Sequence, residues 1–224
     1  MEDKYKYKIE THAHTSECSP CGRITGTELV KIYKDAGYSG INITDHFMSC
    51  VFDMNDNPDK ILQKYYSGYL NALHEGEKLG VKVYRGIEIR LNESINEYLL
   101  YGVTYEFLKK ALSRLDNTLE EFYRFCSDEN VLLYQAHPYR NGIVPMPPEF
   151  LDGIEVFNSH PGHESRNEKA LEYARKYNLP EISGSDVHEI PHACRSGIMS
   201  SYVPENDREF YELIKSRDYK MITF

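Results

Sequence analysis

The segment Thr11-His12-Ala13-His14-Thr15 places two imidazoles two residues apart, and the run KYKIETHAHT around it alternates like a strand. Alternation sends His12 and His14 to the same face. Protonated imidazoles side by side repel, so the pair makes sense around a divalent cation, although a solvated strand face accommodates the same residues. One H-x-H is a weak signal. Further ligand-type residues strengthen it. Asp45 and His46 follow GINIT, Glu88 lies in VKVYRGIEIRL, His137 ends VLLYQAH, His160 ends EVFNSH, and Asp186 and His188 end PEISGSDVH. Imidazole and carboxylate suit zinc, iron or manganese, and so many ligands exceed the needs of one four-coordinate ion, which implies two or three. Clustered cations lower the pKa of a bridging water and present hydroxide to an electrophile, so hydrolysis is the natural chemistry.

These residues need positioning, and the pattern between them supplies it. Thr25-Gly26-Thr27-Glu28 and Thr118-Leu119-Glu120-Glu121 are capping boxes that open helices, and Asn57-Pro58 opens a long helix running to about Gly80. Strands are predicted over 6–14, 40–46, 81–91, 97–103, 131–138, 153–160 and 180–188, with a helix over 164–178. Repeated β-α alternation without repeats or linkers predicts one α/β domain over residues 1–224, with parallel strands wound open or closed into a barrel. In either form the C-terminal strand ends make the active-site rim, where the ligand-type residues recur. Glu88 between Ile87 and Ile89 is a carboxylate in an apolar strand, and burial there calls for a cation or a donor. Asp45 also suits a turn cap beside Thr44, while His74 and His192 read as incidental.

Composition narrows the classes. With 35 acidic against 26 basic residues, the net charge of −9 argues against duplex nucleic acid bound through a basic face. No apolar run approaches a membrane span, and MEDKYKYK leads into no secretion-type apolar region, so cytoplasmic residence is the expectation. Cys18, Cys21, Cys50, Cys126 and Cys194 have no framework spacing and are expected to be reduced. Cys18-Ser19-Pro20-Cys21 is a lone C-x-x-C, without the second pair of a zinc knuckle. Nothing in the pattern specifies an oligomeric state.

Five motifs in order, H-x-H-T at 12–15, T-D-H at 44–46, G-I-E at 86–88, A-H-P at 136–138 and G-S-D-x-H at 184–188, resemble those of the polymerase and histidinol phosphatase (PHP) domain family. HPGHESRN at 160–167 and CRSG at 194–197 resemble a bacterial subgroup of stand-alone phosphoesterases in it. The resemblance implies a distorted seven-stranded (β/α) barrel with a two- or three-metal site, and His12, His14, His46, Glu88, His137, Asp186 and His188 as ligands. It also exposes two departures. Ser19 and Pro20 stand where many members have Asp or His, so Glu17, or a nearby cysteine, would substitute; Glu97 stands where many have histidine.

The expected function is a metal-dependent phosphoesterase that hydrolyses a small phosphorylated metabolite or nucleotide through a metal-bridging hydroxide. His160 or Asp45 would protonate the leaving group. Arg166, Arg195 and Arg140, with His160 and His163, lie on loops near the rim, where an arginine fork would hold phosphoryl oxygens. The alternatives are an exonuclease or phosphodiesterase on short oligonucleotides, and a non-catalytic metal-binding regulatory module.

Overall fold

In the computed structural model, which describes residues 4–223, ten strands and six α-helices follow one another along the chain. The strands are β1 (Tyr7–Ala13), β2 (Tyr38–Ile43), β3 (His46–Phe47), β4 (Lys82–Arg90), β5 (Glu97–Tyr101), β6 (Leu132–Gln135), β7 (Gly153–Asn158), β8 (Glu181–Gly184), β9 (Gly197–Ser200) and β10 (Tyr219–Ile222). The helices are α1 (Gly26–Asp35), α2 (Pro58–Leu79), α3 (Tyr105–Ala111), α4 (Leu119–Asp128), α5 (Asn167–Tyr177) and α6 (Asp207–Ser216).

Capping chemistry starts and stops the helices. The Thr25 and Thr118 side chains accept from the Glu28 and Glu121 amides, whose carboxylates reach back to the threonine N–H groups. Asn57 accepts from the Asp59 amide to open α2, with Pro58 at its first position, and Gly80 closes it in the left-handed conformation. The helix expected from 164 begins at Asn167, because Arg166 has φ +50° and breaks the preceding turn.

The strands pair in the order β10-β9-β1-β2-β4-β5-β6-β7-β8. Beyond β8 the chain returns to β1: Ala13 bridges Val187, and the Asp186 amide donates to the His12 carbonyl at 2.9 Å. Thus β1, β2, β4, β5, β6, β7 and β8 form a nearly closed barrel wall, with β9 and β10 continuing from β1. The expectation of parallel strands needs correction, since β5 runs antiparallel to β4 and β6, and β9 antiparallel to β1. Residues 91–96 between β4 and β5 are too few for a parallel crossover, which takes roughly a dozen, so the chain turns back as a hairpin.

One end of the barrel is closed by α6. Phe210, Leu213 and Ile214 share a helix face and pack with Ile9, Tyr84, Leu99, Tyr101, Tyr134 and Ile182. The Tyr84 and Phe210 rings stack with centroids 4.2 Å apart, and Tyr101 meets Tyr134 edge-on at 5.4 Å. A larger cluster joins α1, α2, α3 and α4 to the outside of the wall. At the opposite end α2 lies against the loop after β1, where a Cβ on Gly68 would come within 2.0 Å of Thr15 Oγ1. Among the described residues, no helix is long and apolar enough to cross a membrane.

Candidate metal centre

At the open end, the predicted residues arrive from separate strands. His12 and His14 do share a face of the β1 segment, and their Nε2 atoms lie 3.1 Å apart. Glu88, near the end of β4, reaches four imidazoles. Its Oε1 is 3.0 Å from His137 Nε2 and 3.3 Å from His12 Nε2, while Oε2 is 2.9 Å from His46 Nδ1 and 3.5 Å from His14 Nε2. Because β5 runs backwards, its first residue, Glu97, stands on the same rim, with Oε2 3.5 Å from His137 Nε2 and Oε1 2.5 Å from Arg90. Asp186 Oδ1 lies 3.4 Å from His12 Nε2 and 3.3 Å from His14 Nε2, and His188 Nδ1 donates to the Asp186 carbonyl at 2.9 Å. His137 and Asp186 hold positive φ angles of 27° and 53°, which turns their side chains inward at a conformational cost.

The charges sort themselves sharply. Burial alone would lower the pKa of His12, but Asp186, Glu155 and Glu88 overcome it and hold the ring well above the usual histidine value. His14, equally buried, is pushed well below it by burial and by His188 and His46. Despite burial, His12 draws both Glu88 and Asp186 well below the usual carboxylate range.

This donor set fits divalent cations. His12, His14 and Asp186 bring ligand atoms within 4.8 Å of one another, as do His12, Glu88 and His137, and also His46, Glu88 and Glu97. Asp186 Oδ1 is buried and accepts no hydrogen bond, although three imidazole nitrogens, of His12, His14 and His188, face it. Such an orphaned carboxylate oxygen beside paired imidazoles is costly without a cation to share.

Several expected residues lie elsewhere or act differently. Glu17 turns away: both its oxygens accept from the Gly26 amide at 3.1 Å, capping α1, and Oε1 also accepts from Asn71. Cys21 enters the rim instead, with Sγ 3.1 Å from His46 Nε2. Burial opposes it, yet hydrogen bonds with His188 and His46 bring its thiol down to about 6. Asp45 is not exposed to the cleft as a proton donor would be. Its Oδ1 accepts from the Thr15 amide at 2.6 Å and the Ser19 hydroxyl at 2.7 Å, and its Oδ2 from the Thr15 hydroxyl at 2.7 Å, so it braces the loop under the histidines. Burial pushes its carboxyl up to about 6. Arg166 is taken up by the Tyr139 carbonyl and the Asn141 side chain, and it ties two loops rather than facing the ligand-type residues.

The cleft above these imidazoles and carboxylates has a volume of about 330 Å³ and is lined by Arg140, His160, His163 and His192 as well as by several of them. His192, which the sequence reading sets aside as incidental, thus belongs to the cleft wall, its ring 4.3 Å from that of His160. Arg140 is ion-paired with Asp186 and donates to Asn158 Oδ1 at 3.1 Å. Arg195 lines an adjoining pocket that shares His160 and His163.

Sequence reasoning missed Glu155. Its Oε1 is 2.9 Å from His12 Nδ1, and its Oε2 accepts from the His137 amide and from Asn158 Nδ2, both at 2.9 Å. Holding the far nitrogen of a ligand-type imidazole fixes its tautomer and aim. The signal was available in GIEVFN, a carboxylate between Ile154 and Val156, the same pattern that marks Glu88. An amide cannot accept at both ends, so Glu155→Gln should weaken metal binding about 10- to 100-fold, as measured by chelator competition. Unchanged affinity would mean that Glu155 only supports the strand.

Known proteins share this architecture. A two-domain Bacteroides vulgatus protein containing a predicted PHP-like metal-dependent phosphoesterase superposes with a TM-score of 0.67 at 17% identity, over 99% of this chain and 66% of that one. PsfC from Pseudomonas syringae gives 0.64 at 16% identity, over 97% and 91% of the two chains. The lesion-specific endonuclease PfuEndoQ from Pyrococcus furiosus gives 0.65 at 14% identity, over 96% of this chain and 57% of that one. Endonuclease Q has also been crystallised with a 27-mer duplex substrate, so the acidic balance of this chain does not exclude duplex nucleic acid for the fold. No curated protein matches the sequence. The model of the PHP domain family matches residues 10–216, and the chain therefore belongs to the PHP domain family.

Proposed function

We propose that the protein is a metal-dependent phosphoesterase acting on a small phosphorylated metabolite or nucleotide. The carrying observation is the convergence of His12, His14, His46, Glu88, Glu97, His137, Asp186 and His188 beneath a cleft that also holds Arg140 and His160. These eight residues would hold two or three ions of zinc, iron or manganese. When bound, such ions acidify water and withdraw charge from phosphoryl oxygens, the two demands of ester hydrolysis.

The chain's own groups do the rest. Asp186 and Asn158 fix the Arg140 guanidinium, whose planar N–H fork suits the equatorial oxygens of a phosphoryl group. Arg195, in the adjoining pocket, would hold a second oxygen-rich part of the substrate. His160 Nδ1 accepts from the Gly162 amide at 3.0 Å, which leaves the proton on Nε2. Burial, opposed by Asp186 and reinforced by His192 and His188, lowers this imidazole to about 4, so near neutral pH it serves the leaving oxygen as an uncharged hydrogen-bond donor. The same proposal treats the chain as one working domain in a reducing, cytoplasmic setting, in keeping with its five free thiols.

Manganese-, zinc- and iron-loaded protein should hydrolyse para-nitrophenyl phosphate faster than the bis-ester. Turnover confined to the bis-ester would favour a phosphodiesterase or nuclease, a reading to which the fold shared with endonuclease Q lends weight. Loaded protein inert toward both esters and a broad phosphate-ester panel would leave a metal-binding regulatory module.

A further inference from the structure

We infer that Cys21 is itself a metal ligand, forming with His46 and His188 a sulfur-bearing site at the mouth of the centre that favours zinc or cobalt over manganese. The inference rests on the proposal that this centre holds metal, but not on which ester it cleaves. Cys21 Sγ lies 3.1 Å from His46 Nε2, and Cys21, His46 and His188 line the same cleft. The imidazoles are prepared for the role. His188 donates through Nδ1 to the Asp186 carbonyl at 2.9 Å, so the lone pair is on Nε2. His46 turns Nδ1 to Glu88 at 2.9 Å and presents Nε2 to the sulfur. Ligand atoms of His14, His46 and His188 already lie within 4.8 Å of one another.

The loop makes the placement specific to Cys21 rather than to the C-x-x-C pair. The Ser19 amide donates to the Thr15 carbonyl and the Gly22 amide to the Ser19 carbonyl, each at 2.9 Å, winding residues 15–22 into tight turns. A Cβ on Gly22 would meet the Thr15 carbonyl oxygen at 2.8 Å, so the turn closes only around glycine. Within it Cys18 faces the opposite way and donates to the Tyr65 carbonyl at 2.6 Å, leaving Cys21 alone among the imidazoles. Binding would exchange the Cys21 S–H bond for a sulfur–metal bond and release one proton to solvent. Thiolate is a soft donor and manganese prefers oxygen, so this ligand shifts the outermost position toward zinc.

Cobalt(II) added to the metal-free full chain should give a near-ultraviolet sulfur-to-cobalt charge-transfer band, together with visible ligand-field bands from the imidazole and carboxylate sites. Cys21→Ser should abolish the first, keep the second, and weaken the outermost cobalt by more than the roughly 10- to 100-fold that losing a supporting group costs. Cys18→Ser should keep both. A cobalt-saturated wild type without the band, or a band that survives Cys21→Ser, overturns the assignment. Should that variant not fold, zinc(II) is expected to shield Cys21 of the wild type from iodoacetamide, and equal alkylation with and without zinc overturns it too. Esterase turnover is a separate readout: the band without turnover sinks the phosphoesterase proposal alone, and turnover without the band sinks this one alone.

Discussion

Glu88→Gln should cost at least one bound ion and lower turnover of para-nitrophenyl phosphate by about 10²- to 10³-fold, the scale of removing one electrostatic stabiliser from an active site. No other described carboxylate faces so many imidazoles, since its two oxygens lie 2.9 to 3.5 Å from His12, His14, His46 and His137. Glutamine keeps the shape but removes the charge and turns one acceptor into a donor, which opposes any imidazole N–H already aimed at it. Metal content by mass spectrometry and steady-state kinetics check the two parts. Full occupancy with unchanged kcat would remove Glu88 from the centre.

Phe210→Ala should destabilise the protein by about 3–5 kcal/mol, the range for emptying a buried aromatic site. Phe210 is 1% exposed, stacks on Tyr84, and touches Tyr101 edge-on, so the vacated volume lies where barrel wall and α6 meet. Neighbouring rings are held by their own contacts and cannot readily collapse into it. The urea midpoint of the metal-free protein reads this loss without interference from ligand linkage. A change below about 1 kcal/mol would mean that α6 does not anchor the barrel end.

Much of this was legible because local chemistry repeats. Capping boxes name their own helices, and alternation alone puts His12 and His14 on one face. The imidazoles and carboxylates placed at strand ends converge because a barrel brings those ends to one rim. Loop residues were harder. Whether Glu17 or Cys21 joins the rim depends on turns after Thr15, which spacing does not encode, and the Gly26 amide at the start of α1 captures the carboxylate first. Glu155 and Glu88 carry the same sequence signal, but Glu155 has no neighbouring motif to draw notice to it. The antiparallel β5 was within reach, since the short span from Arg90 to Glu97 admits only a hairpin. So was α6, whose Phe210, Leu213 and Ile214 follow helical spacing.

The left-handed backbone at His137 and Asp186 sets thermal robustness against chemistry. Any L-residue there carries a penalty of about 1–3 kcal/mol that glycine escapes. A directed-evolution campaign selecting only for heat tolerance would therefore find glycine attractive at both positions. The hardiest descendants of such a screen would be the ones that had given up two members of the proposed metal-holding set.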